Sequence, residues 1–376
     1  MKKLGLLMAF LLMFQVIAFG ETAESSTQEV VKQEQTSISY DEAVNLLLEK
    51  NQELQTLRDK IEIQKVIIEE VDNESSRLKD FMFENEDKIN ERATHVYVDP
   101  VTSRSTLNTM QRTLDDRTFD LKQEVLDFYV KYVKQSNSIE LLEESLNVAQ
   151  NEYDQKNLEL KVGQIIENDL RSYELALQTA KNNLDSAKRD LDLMLIDFNY
   201  LITNDLESAY TPNTSNLESV MVPQYIDINT IDLERVKEVN LENSNELLNL
   251  QENNEKYEQM KKVERLDPST VSAYENYNSN IEDNEFEINK KSKEIRYQVN
   301  IDYNNLKSAF IDIQLMKNKI EMVQNTLENT KLMADNGMAT NLDVMKVQQN
   351  LTSAENALTD ALNEFYKAYR DFLRFY

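Results

Sequence analysis

Few residues in this sequence could do covalent or acid–base chemistry. His95 is the single histidine and cysteine is absent, so no thiolate, no Cys/His metal set and no histidine-based catalytic arrangement can be assembled. His95 reads as an ordinary loop residue beside a turn. The 68 acidic residues are too dense for any pair to stand out as acid and base, because at this density carboxylates meet by chance and line solvated faces. Two of them have a distinctive setting. Asp169 and Asp343 each stand six residues past a glycine, Gly163 and Gly337. An acid in the first turn of a helix complements the positive helix N-terminus. The chain reads as a non-enzyme, with no cofactor and no metal.

The elements that position these aspartates occur twice. Beyond residue 20 the only glycines are Gly163 and Gly337, 174 residues apart. Glycine reaches positive φ without steric cost and commonly sits just past a helix C-terminus. After the first turn, apolar residues fall at Leu170, Tyr173, Leu177, Ala180, Leu184, Ala187, Leu191, Met194, Phe198 and Leu201. After the second they fall at the same offset, at Val344, Val347, Leu351, Ala354, Leu358, Ala361, Phe365, Ala368, Phe372 and Phe375. Before the turns the offset pairs Leu121, Val125, Tyr132, Ile139, Leu142, Leu146, Ala149 and Tyr153 with Ile295, Val299, Leu306, Ile313, Met316, Ile320, Val323 and Leu327. Phe128 opposite Asp302 breaks the pattern. Steps of three and four held over this distance predict helices packed along a seam, in a duplicated unit of long helix, glycine turn and second helix.

Composition agrees. Four glycines and four prolines in 376 residues, with a formal charge of −27, favour long helices over sheet and argue against nucleic acid or anionic headgroups as direct partners. Lys2 and Lys3 followed by the apolar run Leu4 to Ala18 predict a signal peptide over residues 1–20 and hence an exported protein. A retained membrane anchor is the alternative, disfavoured because the run is short for a spanning helix.

In chain order, residues 21–37 read as a flexible leader. Ser39 and Glu42 form a capping-box pattern with Ile38 placed as a staple, opening a first helix through Ala43, Leu47, Leu54, Leu57, Ile61 and Ile63. The first repeat spans 38–202, a connector with Pro212 and Pro223 spans 203–230, and the second repeat spans 231–376. The opening helices correspond at an offset of about 193, so the first copy carries roughly 19 additional residues. These belong to residues 72–105, with a turn at Asp99-Pro100 and Thr102-Ser103; the second copy has a compact turn at Leu266 to Thr270. Long helices are expected over about 105–161 and 270–335, and the following helices over about 167–202 and 341–375. A second stripe on the first long helix, Phe119, Leu126, Val130, Val133, Leu141 and Val148, admits either a bundle core or the wall of a helical barrel. Beside Leu175, Leu193 and Ile196 the second face of the shorter helices is polar. Phe365, Tyr366, Tyr369, Phe372, Phe375 and Tyr376 are expected to pack the last helix on the first.

With its opening Asp41-Glu42-Ala43-Val44 and Asn51-Gln52-Glu53-Leu54, its Gly163–Leu170 and Gly337–Val344 stretches and its duplicated helix order, the chain resembles the TolC family of outer-membrane efflux proteins. The resemblance implies an all-α protomer of long antiparallel coiled-coil helices in two tandem repeats. Three such chains would close into a twelve-helix tunnel at the outer membrane or facing the periplasm. It implies that the tips Val162, Gly163, Gln164, Ile165, Gly337, Met338, Ala339 and Thr340 meet a periplasmic adaptor serving an inner-membrane pump. It also implies that Asp343, and Asp169 with it, narrow the tunnel as a ring of carboxylates favouring cations, with Lys346 partly cancelling that charge. Family members insert a strand pair between short and long helix in each copy. Here the second copy has no room for one and the first offers at most His95 to Val98, so the membrane β-barrel is expected to be absent or vestigial. A non-conducting coiled-coil scaffold or spacer of the cell envelope is the alternative function.

Overall fold

Asn51 and Ser244 decide where the helices that open each repeat are cut. The computed structural model describes residues 36–81, 88–206, 210–222, 228–266 and 271–374. A helix α1 (Tyr40–Lys50) starts on the Ser39–Glu42 capping box, in which Ser39 N donates to Glu42 Oε2 at 2.9 Å. It stops at Asn51, whose side chain then accepts from Leu54 N at 3.0 Å and starts α2 (Gln52–Asp80). The expected single opening helix through Ile63 is therefore two helices, because an Asx cap offers the backbone a local alternative to continuing the first. The second repeat is cut at the matching place: α7 (Leu233–Glu242) ends, and Ser244 Oγ accepts from Leu247 N to begin α8 (Asn245–Glu264).

The long helices are α4 (Asp99–Lys161) and α9 (Val271–Asp335), and the helices after the glycine turns are α5 (Glu167–Thr203) and α10 (Asn341–Phe372). At 1.5 Å per residue α4 and α9 are each about 95–100 Å long. Ahead of α4, the additional residues of the first copy lengthen α2 relative to α8 and form α3 (Ile89–Tyr97). Two expectations are corrected here. Asp99-Pro100 and Thr102-Ser103 are the start of α4, where Pro100 occupies a first-turn position that needs no amide donor. His95 to Val98 is helix and helix end rather than strand, and His95 is no loop residue: its Nδ1 lies 2.6 Å from Asp99 Oδ2.

Among the described residues the strands are β1 (Thr36–Ile38) and β2 (Tyr210–Pro212), paired in parallel with Thr36 opposite Tyr210. Residues 36 and 37 thus belong to an ordered strand rather than to the leader. The connector is likewise more than a link. Leu217 and Met221 on the short helix α6 (Leu217–Met221), and Ile228, are buried in the main core. Residues 1–35, which include the signal-peptide reading and most of the leader, lie outside the described residues. So do Pro223, Asp267 to Thr270, Phe375 and Tyr376.

Packing follows the duplicated stripe. α5 packs on α4, α4 on α10 and α10 on α9, giving a file of four helices whose outer members are α5 and α9. Toward the other end, α2 takes the place of α5 beside α4, and α8 lies against both α4 and α9. The repeat predicts the core at equivalent positions. Val125 and Val299, Leu177 and Leu351, Ala180 and Ala354, and Phe198 and Phe372 are all buried. At mid-height, the waist of the molecule, one core cluster holds the largest fully buried side chains, among them Leu47, Leu121, Tyr129, Phe198, Met221, Phe365 and Phe372. Phe365 and Phe372 do pack the last helix into that core, and Tyr366 lies against Tyr40, whose hydroxyl is pushed well above its usual range first by burial and then by that contact.

Two tyrosines brace the waist. Tyr129 on α4 donates its hydroxyl to Ile38 O at 2.6 Å, and Tyr303 on α9 donates to Ile228 O at 3.3 Å. They stand 174 residues apart. Each ties a long helix to the backbone just ahead of the repeat's opening helix.

Candidate functional site

Each turn is built from three backbone features. At the first, Gly163 has φ +77°, Gly163 N donates to Leu160 O and Gln164 N donates to Glu159 O, both at 2.9 Å. At the second, Gly337 has φ +72°, Gly337 N donates to Ala334 O at 2.9 Å and Met338 N to Met333 O at 2.8 Å. This is the Schellman closure, which satisfies the last carbonyls of a helix and reverses the chain. Open space surrounds both glycines, with nothing within 4 Å of an added Cβ. The demand for glycine is thus conformational and not steric. Gly337→Ala is expected to lower stability by about 1 kcal/mol. Thermal melts of Gly, Asn, Ala and Val at position 337 should fall in that order, and an alanine variant as stable as the parent would contradict the assignment.

The chain re-enters helix at Ile166 and Thr340 with the same backbone angles, φ −98° and ψ 160°. Asp343 caps its own helix: Thr340 N donates to Asp343 Oδ2 at 3.0 Å, Thr340 Oγ1 donates to the same oxygen at 2.7 Å, and Asp343 N donates to Thr340 Oγ1 at 3.2 Å. The backbone bond from Thr340, then its side chain, and last the nearby charge of Lys346 hold the Asp343 carboxyl below its ordinary range. Asp169 makes half of this box. It accepts from Ile166 N at 3.2 Å, and Ile166 has no oxygen with which to reciprocate. Both aspartates therefore stand at the tip end of the molecule, with one carboxylate oxygen committed to the cap.

Around the turns the apolar side chains point outward. Val162, Ile166 and Met338 are between 65% and 70% exposed, a high value for large apolar side chains grouped at one end. Gln164, Gly163, Gly337 and Thr340 are exposed as well, whereas Ile165 and Ala339 are half-buried. A groove of about 470 Å³ runs between the two hairpins just behind the tips, lined by Val148, Ala149, Leu175, Ala176, Leu342 and Met345. Nothing in the sequence announces this groove, because α4, α5 and α10 all line it and only the packing of α10 on α4 brings them together.

The outer members of the file carry open stripes. On α5, Leu175, Leu193, Ile196 and Tyr200 are 45–67% exposed, spaced with Thr179, Asn182, Ser186 and Arg189 in steps of four and three. On α9, Ile311, Leu315, Met322 and Leu332 are 56–65% exposed and continue the same stepping through Asn318, Asn325 and Asn329. Such steps make a coiled-coil seam, and in the single chain both seams lack a partner helix. Among the described residues no cluster of three metal-ligating side chains occurs, and no helix is long and apolar enough to cross a membrane.

This arrangement is the fold of bacterial outer-membrane channels, as the resemblance read from the sequence implies. The chain superposes on the outer membrane protein VceC from Vibrio cholerae with a TM-score of 0.57 and 8% identity, covering 89% of this chain and 95% of that one. It superposes on the Neisseria gonorrhoeae MtrE outer membrane channel at 0.53 and 11%, covering 88% of each. It matches the Campylobacter jejuni CmeC outer membrane channel at 0.52 and 12%, covering 89% and 84%. No family model and no curated protein sequence matches the chain. The likeness is one of fold: an all-α protomer of long antiparallel helices in two tandem repeats.

Proposed function

We propose that this chain is one protomer of a TolC-like channel tunnel, a passive conduit in an export system of the cell envelope. The observation that carries the reading is the file of four helices whose outer members, α5 and α9, each keep open a coiled-coil stripe of mixed apolar and polar residues. Surfaces that differ and face opposite ways make a heterologous contact, which closes only as a ring. Three chains of four helices each give a twelve-helix wall.

In this reading residues 38–202 and 231–376 are the two repeats and 203–230 the connector, exported behind a signal peptide over 1–20 to the outer membrane or its periplasmic side. The tips Val162, Gly163, Gln164, Ile165, Gly337, Met338, Ala339 and Thr340 are the docking surface for a periplasmic adaptor protein and, through it, an inner-membrane pump. Their exposed apolar side chains support that use. Asp343, with Asp169, lines the narrow end, the second oxygen of each carboxylate being available to the lumen. No cofactor enters, and the partners choose the substrate.

The test is the mass of the native protein in detergent-free buffer. A tunnel gives three chains at micromolar concentration, and a monomer under those conditions overturns the reading. A second reading, a non-conducting coiled-coil spacer of the envelope, is favoured by the helical α3 and α4 in the stretch where channels of this kind carry membrane strands. Conductance across a planar bilayer separates the two. A tunnel should pass current, with a cation preference that falls in Asp343→Asn, whereas a trimer that never conducts would be a spacer.

A further inference from the structure

One contact between the two halves of the chain is α4 against α10, and it carries a row of polar pairs. Arg370 Nη1 donates to Gln123 Oε1 at 3.0 Å, Lys367 Nζ lies 3.3 Å from Asp127 Oδ1, and Asn363 Nδ2 donates to the same oxygen at 3.1 Å. Nearer the tips Lys134 Nζ donates to Asp360 Oδ1 at 2.9 Å, and Asn137 Nδ2 donates to Asn356 Oδ1 at 3.0 Å. At the other end of the seam the Arg374 guanidinium lies 4.4 Å from the centroid of the Phe119 ring.

Because α9 is the copy of α4 and α5 the copy of α10, each of these contacts names two positions, 174 residues from the originals, on the open outer helices. Gln123 and Arg370 correspond to Tyr297 and Ile196. Asp127 and Lys367 correspond to Ile301 and Leu193, and Asn137 and Asn356 to Ile311 and Asn182. Lys134 and Asp360 correspond to Ser308 and Ser186, which keeps a polar but uncharged pair, and Asn363 corresponds to Arg189. Each of the other pairs has gained at least one apolar member, and these include large side chains that the single chain leaves open. Tyr297 is 68% exposed, Ile311 65%, Leu193 61% and Ile196 45%. Phe119 and Arg374 correspond to Lys293 and Tyr200, so ring and cation have changed sides while the contact type is kept.

We propose that α5 of one chain lies along α9 of the next in the register inherited from the α4–α10 seam, with Ile196 on Tyr297, Leu193 on Ile301, Tyr200 on Lys293 and Asn182 on Ile311. The occupant of each open stripe is a second copy of this chain. The assembly then alternates seams that carry charged pairs, inside chains, with more apolar seams between chains, and the two kinds cannot exchange partners. Lys367 set against Ile301, or Asp127 against Leu193, would leave a charge without its counter-ion in a closing seam. This rests on the tunnel reading for the number of chains, but fixes the register independently of conduction.

The absence of cysteine makes the register directly readable. In the double variant Asn182→Cys/Ile311→Cys a short bis-maleimide should link neighbouring chains into a ladder ending at three, while neither single variant forms the ladder. If native mass shows a trimer but this pair stays unlinked and Ser186→Cys/Ile311→Cys, one turn away, links instead, the register is wrong and the tunnel reading stands. A protein that is monomeric in the same buffer defeats both. Tyr297→Glu, at an exposed position that leaves the helical circular dichroism unchanged, should weaken assembly on the order of tenfold; unaltered assembly would remove Tyr297 from the seam.

Discussion

Phe198→Ala is expected to lower the unfolding free energy by about 4 kcal/mol, the range for truncating a fully buried aromatic side chain. Phe198 is 0% exposed, stacked on Phe128 with centroids 4.8 Å apart and edge-on to Tyr129 at 5.7 Å. The cavity would open where α1, α4 and α5 meet, and each is braced there by the others, so little collapse can refill it. Its repeat equivalent Phe372 should matter less. There the place of Phe128 is taken by Asp302, and the remaining ring contact is a tilted one with Tyr303 at 5.6 Å. Burial, and then repulsion from Asp371, push the Asp302 carboxyl above its ordinary range despite a bond from Gln298. Urea denaturation of Phe198→Ala and Phe372→Ala side by side decides the matter. Equal losses would show that the stack on Phe128 adds nothing, and a loss under about 1 kcal/mol for Phe198→Ala would show that its site collapses to refill the cavity.

Arg112→Met should cost about 3 kcal/mol at neutral pH, because it strands a carboxylate rather than because it removes an attraction. Arg112 Nη1 donates to Glu252 Oε1 at 2.9 Å and Nη2 to Oε2 at 3.0 Å, and both side chains are only 15% exposed. Ser105 and Asn108 donate to the same carboxylate, and Arg112 also reaches Asn249 at 2.6 Å, so this cluster holds α4 to α8. Burial by itself would raise the Glu252 carboxyl. The donors, Arg112 first, outweigh it and hold the group below its ordinary value of 4.5. A depressed folded-state pKa contributes stability that is fully present above pH 4.5 and lost as pH falls through the folded value. Without Arg112, burial is opposed by the two neutral donors alone. The deficit of Arg112→Met should therefore be largest near pH 7 and shrink below pH 4. Arg112→Met/Glu252→Leu, which removes both charges, should recover most of the loss in thermal melts across that range. A deficit independent of pH would mean that the side chain matters for its volume alone.

The repeat was legible because helix periodicity and glycine both leave local marks. A 3.5-residue stripe states which face is buried without reference to any partner, and a glycine in a helix-rich chain states where φ turns positive. The breaks and additions depended on competition instead. Asn51 interrupts the first repeat because its side chain caps α2, yet nothing in the apolar stripe through Leu47, Leu54 and Ile61 signals a stop. The 193-residue offset that equates Asn51 with Ser244, two cap-forming residues, carried that information. Tyr129 and Tyr303 carried a similar mark at the 174-residue offset, but their partners are carbonyls, which no side-chain pattern can announce. Pro100 read as a turn because proline both ends helices and begins them, and here it stands in the first turn of α4. At the tips, the positions of Asp169 and Asp343 were legible, and both accept from the backbone that opens their helices, whereas the reciprocal half of the box depends on a hydroxyl that residue 340 carries and residue 166 lacks.

The Schellman turns also bear on how the polypeptide acquires its shape. Within each hairpin, residues that touch near the glycine are close in sequence, and every further rung of the α4–α5 or α9–α10 ladder adds only a short increment of chain to be closed. Loop-closure entropy grows slowly under those conditions, so each rod pair can zip from its bend outward as a local, low-contact-order event. The costly closures are then those that join one hairpin to the other and bring Ile38 and Ile228 to their tyrosines. These belong to the waist, so docking of the two hairpins, rather than their formation, is the expected slow step of folding.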